Sequence, residues 1–72
     1  MAEQIRTQIP GNVWKVLVKP GDTVRGGDVL FILEVMKSEV HHTASGGGTV
    51  KAVHIVEGQE GVDGDTLAVE IE

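Results

Sequence analysis

From residue 13 to residue 19 the side chains alternate. Trp14, Val16 and Val18 fall on one side, and Lys15, Leu17 and Lys19 on the other. Period two of this kind marks a strand with one buried face. Similar short runs recur along the chain, each bounded by Gly, Pro or Asp. They predict extended segments at 3–8, 13–19, 29–35, 40–43, 49–56 and 66–71, with 23–25 as a short connection, and no stretch carries helical spacing with caps.

The pattern is duplicated. At an offset of 37 residues Gly11 falls on Gly48, Val13 on Val50, Val16 on Val53 and Val18 on Ile55. Gly21 falls on Gly58, Gly27-Asp28 on Gly64-Asp65, Leu30 on Leu67 and Ile32 on Val69. These are the turn glycines and apolar strand positions, the residues that set backbone path and core. The repeat is clear for 11–34 onto 48–71 and fades toward the N-terminus, where Ile5 lands on His42. Two copies this short are neither two domains nor a solenoid. Eight short strands in two similar halves predict an all-β fold, a flattened barrel or sandwich. Its expected core is Val16, Val18, Leu30, Ile32, Val53, Ile55, Leu67 and Val69. Copies related by a pseudo-two-fold axis would put the link 35–41 at one end and the chain termini at the other.

That link reads as a hairpin tip carrying Met36-Lys37. A two-residue hairpin turn ordinarily uses Asn-Gly, Asp-Gly or Gly-X, because its central residues need positive φ. Elsewhere the chain follows turn rules closely. Pro20-Gly21 suits a type II turn, and Asp28 and Asp65, each after a turn glycine, suit turn-stabilising roles. A rule broken at an exposed tip points to function there.

Composition narrows the classes. Seventy-two residues form one small unit without cysteine, so neither a disulfide nor a thiolate zinc site is available. The formal net charge of −5 argues against nucleic-acid binding and suits a soluble monomer. No stretch is long enough to span a membrane, and the N-terminal residues do not read as a signal peptide. A cytoplasmic location fits the lack of cysteine. His41, His42 and His54 do not make a metal site, since adjacent strand residues point to opposite faces. Gly46-Gly47-Gly48 lacks the Lys-Ser/Thr of a phosphate loop. No Ser-His-Asp or Cys-His arrangement stands out.

Glu34-Val35-Met36-Lys37 resembles the attachment motif of biotinyl domains, usually Glu-Ala-Met-Lys-Met. The flanks agree: Gly11-Asn12-Val13-Trp14, Lys19-Pro20-Gly21-Asp22-Thr23-Val24 and Gly27-Asp28-Val29-Leu30 before the site, then Gly48-Thr49-Val50, Glu57-Gly58 and Gly64-Asp65-Thr66-Leu67 after it. The chain is thereby identified as a member of the biotinyl/lipoyl attachment family, over nearly its whole length. The resemblance implies a barrel-sandwich hybrid of two four-stranded antiparallel sheets, with residues 1–72 as one carrier domain. It also implies covalent biotin on Lys37, a post-translational modification made by a biotin protein ligase. Glu34, Val35, Met36, Ser38 and Glu39 become the expected recognition residues.

In such a carrier the ligase forms biotinyl-adenylate, and the Lys37 amine attacks its carbonyl to give an amide. The loaded domain then serves as a swinging arm between biotin carboxylase and carboxyltransferase sites, and is not itself an enzyme. Three residues depart from the family pattern. Val35 replaces Ala, Ser38 replaces the second Met, and Gly61 stands where an apolar residue is usual, so that Val62 is expected to supply that contact through a shifted loop. Met36 favours biotin, because lipoyl domains place an acidic residue before their lysine; Ser38 does not discriminate. A lipoyl or dual carrier is the alternative, and an unmodified β binding module is the reading from another class. Starting at Met1 without an Ala/Pro-rich linker, the chain resembles the free-standing attachment proteins; an excised carboxylase domain is the other possibility.

Overall fold

The computed structural model describes residues 3–72. Seven strands are formed: β1 (Glu3–Arg6), β2 (Asn12–Val16), β3 (Thr23–Val24), β4 (Val29–Val35), β5 (Ser38–Thr43), β6 (Gly48–Val53) and β7 (Leu67–Ile71). The described residues contain no helix. The strands make a four-stranded sheet, β1-β7-β6-β3, and a three-stranded sheet, β2-β4-β5, with every pairing antiparallel. The expected eighth strand is reduced to one bridge, Gly11 to Val62. Backbone bonds from Val13 to Gly58 and Gln59 hold the same segment along β2.

The repeat explains this topology. An offset of 37 carries β1, β2 and β4 onto β5, β6 and β7. Each sheet therefore takes its two middle strands from one copy and its flanking segments from the other. Neither copy keeps all its strands in one sheet, so the duplication yields one interleaved fold.

Turn chemistry repeats as well. Gly21 has φ 96° and Gly58 has φ 88°, the left-handed residue of a type II turn in each copy. Each turn is closed by a backbone bond, Asp22 N–H to Lys19 O at 3.1 Å and Gln59 N–H to Val56 O at 3.0 Å. The Asp22 carboxylate accepts from Lys19 N–H, and the Asp28 carboxylate accepts from Arg25 N–H at 2.9 Å, the turn-stabilising role expected of it. At the counterpart of Gly27 the copies diverge: Asp65, not Gly64, takes the left-handed φ, at 60°.

The core differs from the expected set. Leu30, Ile32, Ile55 and Val69 are buried, whereas Val16, Val18 and Val53 only pack against the core from its edge and Leu67 is half-buried. Its largest fully buried side chains include Phe31, Leu33, Ile71, Val13 and Val50, all outside that set. β4 is buried on both faces from Leu30 to Leu33, and for Val13 and Val50 the reason is a pair of β-bulges. The β2–β4 register shifts between Val13 and Lys15, and the β6–β7 register shifts at the matching place, between Val50 and Ala52. A bulge adds one residue and inverts the alternation. Val13 and Val50 thus turn inward, and Trp14, expected beside Val16, is left 43% exposed under the Lys15 ammonium.

Gly61 and Val62 behave as the departure from the family pattern suggested. Gly61 takes φ 66°, and Val62 is buried in the core, as Val24 is in the first copy. The two ends of the fold are defined by the ladders. Val35 pairs with Ser38 at one end of the β4–β5 ladder and Val29 with Thr43 at the other. Ser45, just beyond Thr43, donates to the Glu3 carboxylate, and Thr49, beside β3, exchanges backbone bonds with Glu72. Both described chain ends therefore lie opposite the β4–β5 turn.

Candidate acceptor turn

β4 and β5 form a two-residue hairpin closed by the Val35–Ser38 pair. Met36 has φ 48° and Lys37 has φ 69°. Positive φ at both central residues is the type I′ geometry, which suits the twist of the flanking strands but disfavours residues with a Cβ. The fold accepts two non-glycine residues in that conformation at its tip.

The turn is firmly based. Val35 packs against the core. Glu34 pairs with Asn12 on one side and Glu39 on the other, so the hairpin continues into a three-strand ladder. Beyond that base everything faces solvent: Glu34, Ser38 and Glu39 are exposed, Lys37 is exposed, and Met36 is 94% exposed. Lys37 forms no ion pair among the described residues. Glu34 and Glu39 are directly opposed like charges, a mildly unfavourable pairing. His41 stands 3.8 Å from Glu39.

All six residues singled out from sequence are thus brought together at one end of the fold. The structure adds others. Gly11, Asn12, Gly61, Val62 and Asp63 border the turn and with Val35 and Met36 line a shallow groove of about 330 Å³. The Asn12 side-chain oxygen accepts from Gly61 N–H at 3.0 Å and fixes that border. Gly11 and Gly61 are visible in sequence as turn residues, but their meeting beside Lys37 depends on the strand exchange between copies.

Chemically, the turn offers a primary amine on a short, rigid platform. A lysine amine in water near neutral pH is overwhelmingly protonated. Among the described residues no ion-pair partner stands against Lys37 to take the proton, so a partner enzyme must do so. No group of three or more His, Cys, Asp or Glu suited to a metal ion occurs among the described residues.

Known proteins resemble this chain over its full extent. A family model described as biotin-requiring enzymes matches residues 3–71. A biotinylated protein of Mycobacterium leprae (TB7.3 homolog) is 41% identical, with 96% of this chain and 97% of that protein covered. The biotin carboxyl carrier protein of Streptococcus mutans is 44% identical over 92% of the chain, which spans about half (51%) of that relative's length. Among solved structures, the urea carboxylase of Kluyveromyces lactis superimposes with a TM-score of 0.89 at 30% identity, covering 100% of this chain and 6% of the enzyme.

Proposed function

The chain belongs to the biotin-requiring, biotin/lipoyl attachment family, and from that premise we propose that it is a biotin carrier whose acceptor is the Lys37 amine. The observation that carries this reading is the type I′ turn itself. It holds one amine outward at the seam between the two copies, on residues that a hairpin turn would otherwise avoid. The chain has four lysines, but Lys15 and Lys51 sit on strands β2 and β6 and Lys19 abuts a type II turn; only Lys37 crowns a free-standing tip.

The residues present fit the group. Amide formation needs an accessible nitrogen and clearance around it, and the exposed turn supplies both. Lys37 Nζ, once deprotonated by the ligase, attacks the activated carboxyl carbon; the N–C bond forms, the adenylate leaves and the second amine proton is released. This chain contributes position and rigidity, which lower the entropy cost of docking. When attached, biotin supplies carboxyl transfer, and the rest of the chain acts as tether and address. Glu34, Val35, Met36, Ser38 and Glu39 form the face that a ligase meets, with Met36 the most prominent apolar contact. Partners of this kind, a biotin protein ligase and then the carboxylase and carboxyltransferase components of a biotin-dependent enzyme, are supported by relatives that carry biotin in their names and by a domain of the same shape inside a carboxylase. We further propose that residues 1–72 act as one monomeric carrier unit in the cytoplasm.

A lipoyl arm is not favoured, because the matched relatives named above are biotin proteins and Met36 precedes the lysine. Incubation with biotin ligase, ATP and biotin tests the assignment. The parent chain gains one biotin by intact mass, and Lys37→Arg, which keeps charge and fold, gains none. Labelling of the arginine variant refutes it.

A further inference from the structure

We infer that the groove beside the acceptor turn is a resting seat for the arm carried on Lys37, an inference that rests on the carrier reading above. Val35 and Met36, the two residues before Lys37, line the groove together with Gly61 and Val62. Gly11 and Val62, both on its lining, are joined by the reciprocal bridge between strand copies, Gly11 N–H to Val62 O at 3.0 Å and Val62 N–H to Gly11 O at 2.8 Å.

Two glycines border the groove. A Cβ on Gly11 would stand 2.7 Å from Val35 Cγ2, so no side chain fits beneath the turn. A Cβ on Gly61 would meet no atom within 4 Å, so its missing side chain leaves the rim open. The one-residue shift that turns Val62 into the core is what leaves Gly61 on that rim. Asn12, holding Gly61 N–H, keeps the opening in place.

The lining matches one occupant. Val35 and the thioether of Met36 are apolar, and Asn12, Glu34 and Asp63 are the polar side chains of the lining. A biotinyl arm has a hydrocarbon chain and a sulfur-containing ring for the apolar groups, and a cyclic urea with two N–H donors and one acceptor for the polar ones. The volume is at the small end of ligand sites, the right scale for one compact ring system. Strong binding is not required. A short flexible tether gives effective concentrations of the order of millimolar. A seat with a millimolar dissociation constant is then about half filled, which shelters the ring at rest yet releases it when a partner site offers more.

Isotope-labelled protein tests this directly. Intact mass first establishes one biotin on Lys37, and amide spectra of the unmodified and modified chains are then compared. The seat predicts amide shifts at Asn12, Gly61 and Val62 besides those at the turn, and magnetisation transfer between arm protons and the Gly61 α-protons. In Gly61→Asn, a residue that tolerates left-handed φ, the added side chain fills the opening. That variant is still biotinylated but loses the shifts at Asn12 and Val62. Added mass with shifts confined to 35–39 overturns the seat alone. No added mass on the parent chain overturns the carrier reading and the seat with it. The comparison of parent chains decides the matter even should the variant fail to fold.

Discussion

Met36 and Lys37 are where local preference and architecture disagree. Each holds a Cβ in the left-handed region, at a cost of the order of 1 kcal/mol per residue. The base of the hairpin keeps them there, because Val35 is packed and Glu34 is paired on both sides. The disagreement can be tested at Met36. Asparagine is at home in a type I′ turn, so Met36→Asn is expected to raise stability by about 0.5–1 kcal/mol, read as a higher urea midpoint at unchanged slope. The same change removes the exposed thioether that a ligase meets, so the initial rate of biotinylation is expected to fall. A variant no more stable than the parent argues against strain in the turn, and an unchanged labelling rate argues against recognition through Met36.

At the scale of elements, the acceptor hairpin depends on a strand end with no side chain beneath it. A Cβ on Gly11 would collide with Val35 Cγ2 at 2.7 Å and with the Glu34 carbonyl oxygen at 2.9 Å. Its counterpart Gly48 is crowded in the same way by Ile71 and Glu72 at the other end. Gly11→Ala is therefore expected to destabilise the fold by about 1–3 kcal/mol, the range for overpacking, with faster amide exchange at Val35 and Ser38. Gly46→Ala is the control, since a Cβ there meets nothing within 4 Å, and its urea midpoint should stay level or rise slightly. Equal losses in both variants would show that glycine itself, not the contact at Gly11, matters. The strands, the type II turns and the acceptor tip were legible in the sequence because each has a local signature: alternation, Pro-Gly, and a missing turn residue. The phase of the core was not. Trp14 belongs with Val16 by period two, and only the bulge after Val13 turns it outward. Bulges are set by pairing partners distant in sequence, as is the strand exchange that brings Gly61 to Lys37. His42 was set aside as a non-ligand, and nothing local marks it as buried.

For the molecule as a whole, His42 joins the two sheets. It lies on β5 of the three-stranded sheet, is only 4% exposed, and stacks on Phe31 with ring centroids 4.5 Å apart. Its Nε2 accepts the Gln8 N–H, just beyond β1 of the other sheet, at 3.2 Å. Accepting there requires the neutral ring with its proton on Nδ1, which is buried without a partner of good geometry. Burial pushes the His42 pKa below the usual histidine value of 6.5, and the nearby Val40 carbonyl only partly opposes this. Arg6 on β1 and His41 on β5 line the recess beside it, and the Arg6 guanidinium does not favour a second positive charge there. The consequence for stability has a definite sign. Above pH 6.5 the ring is neutral in folded and unfolded chains alike, and its full contribution is present. As pH falls below that value the unfolded chain takes up the proton first, so stability drops until the folded pKa is passed. One such group changes stability by at most about 1.4 kcal/mol per pH unit. Carboxylates join only nearer pH 4. Urea midpoints of the parent chain are thus expected to decline between pH 7 and 5. His42→Gln, which keeps an acceptor for Gln8 but does not titrate, should lower the midpoint at pH 7 yet flatten that decline. The slope, not the absolute stability, carries the test: an equally steep loss in the glutamine variant would assign the acid sensitivity to other groups and remove His42 as the titrating tie between the sheets.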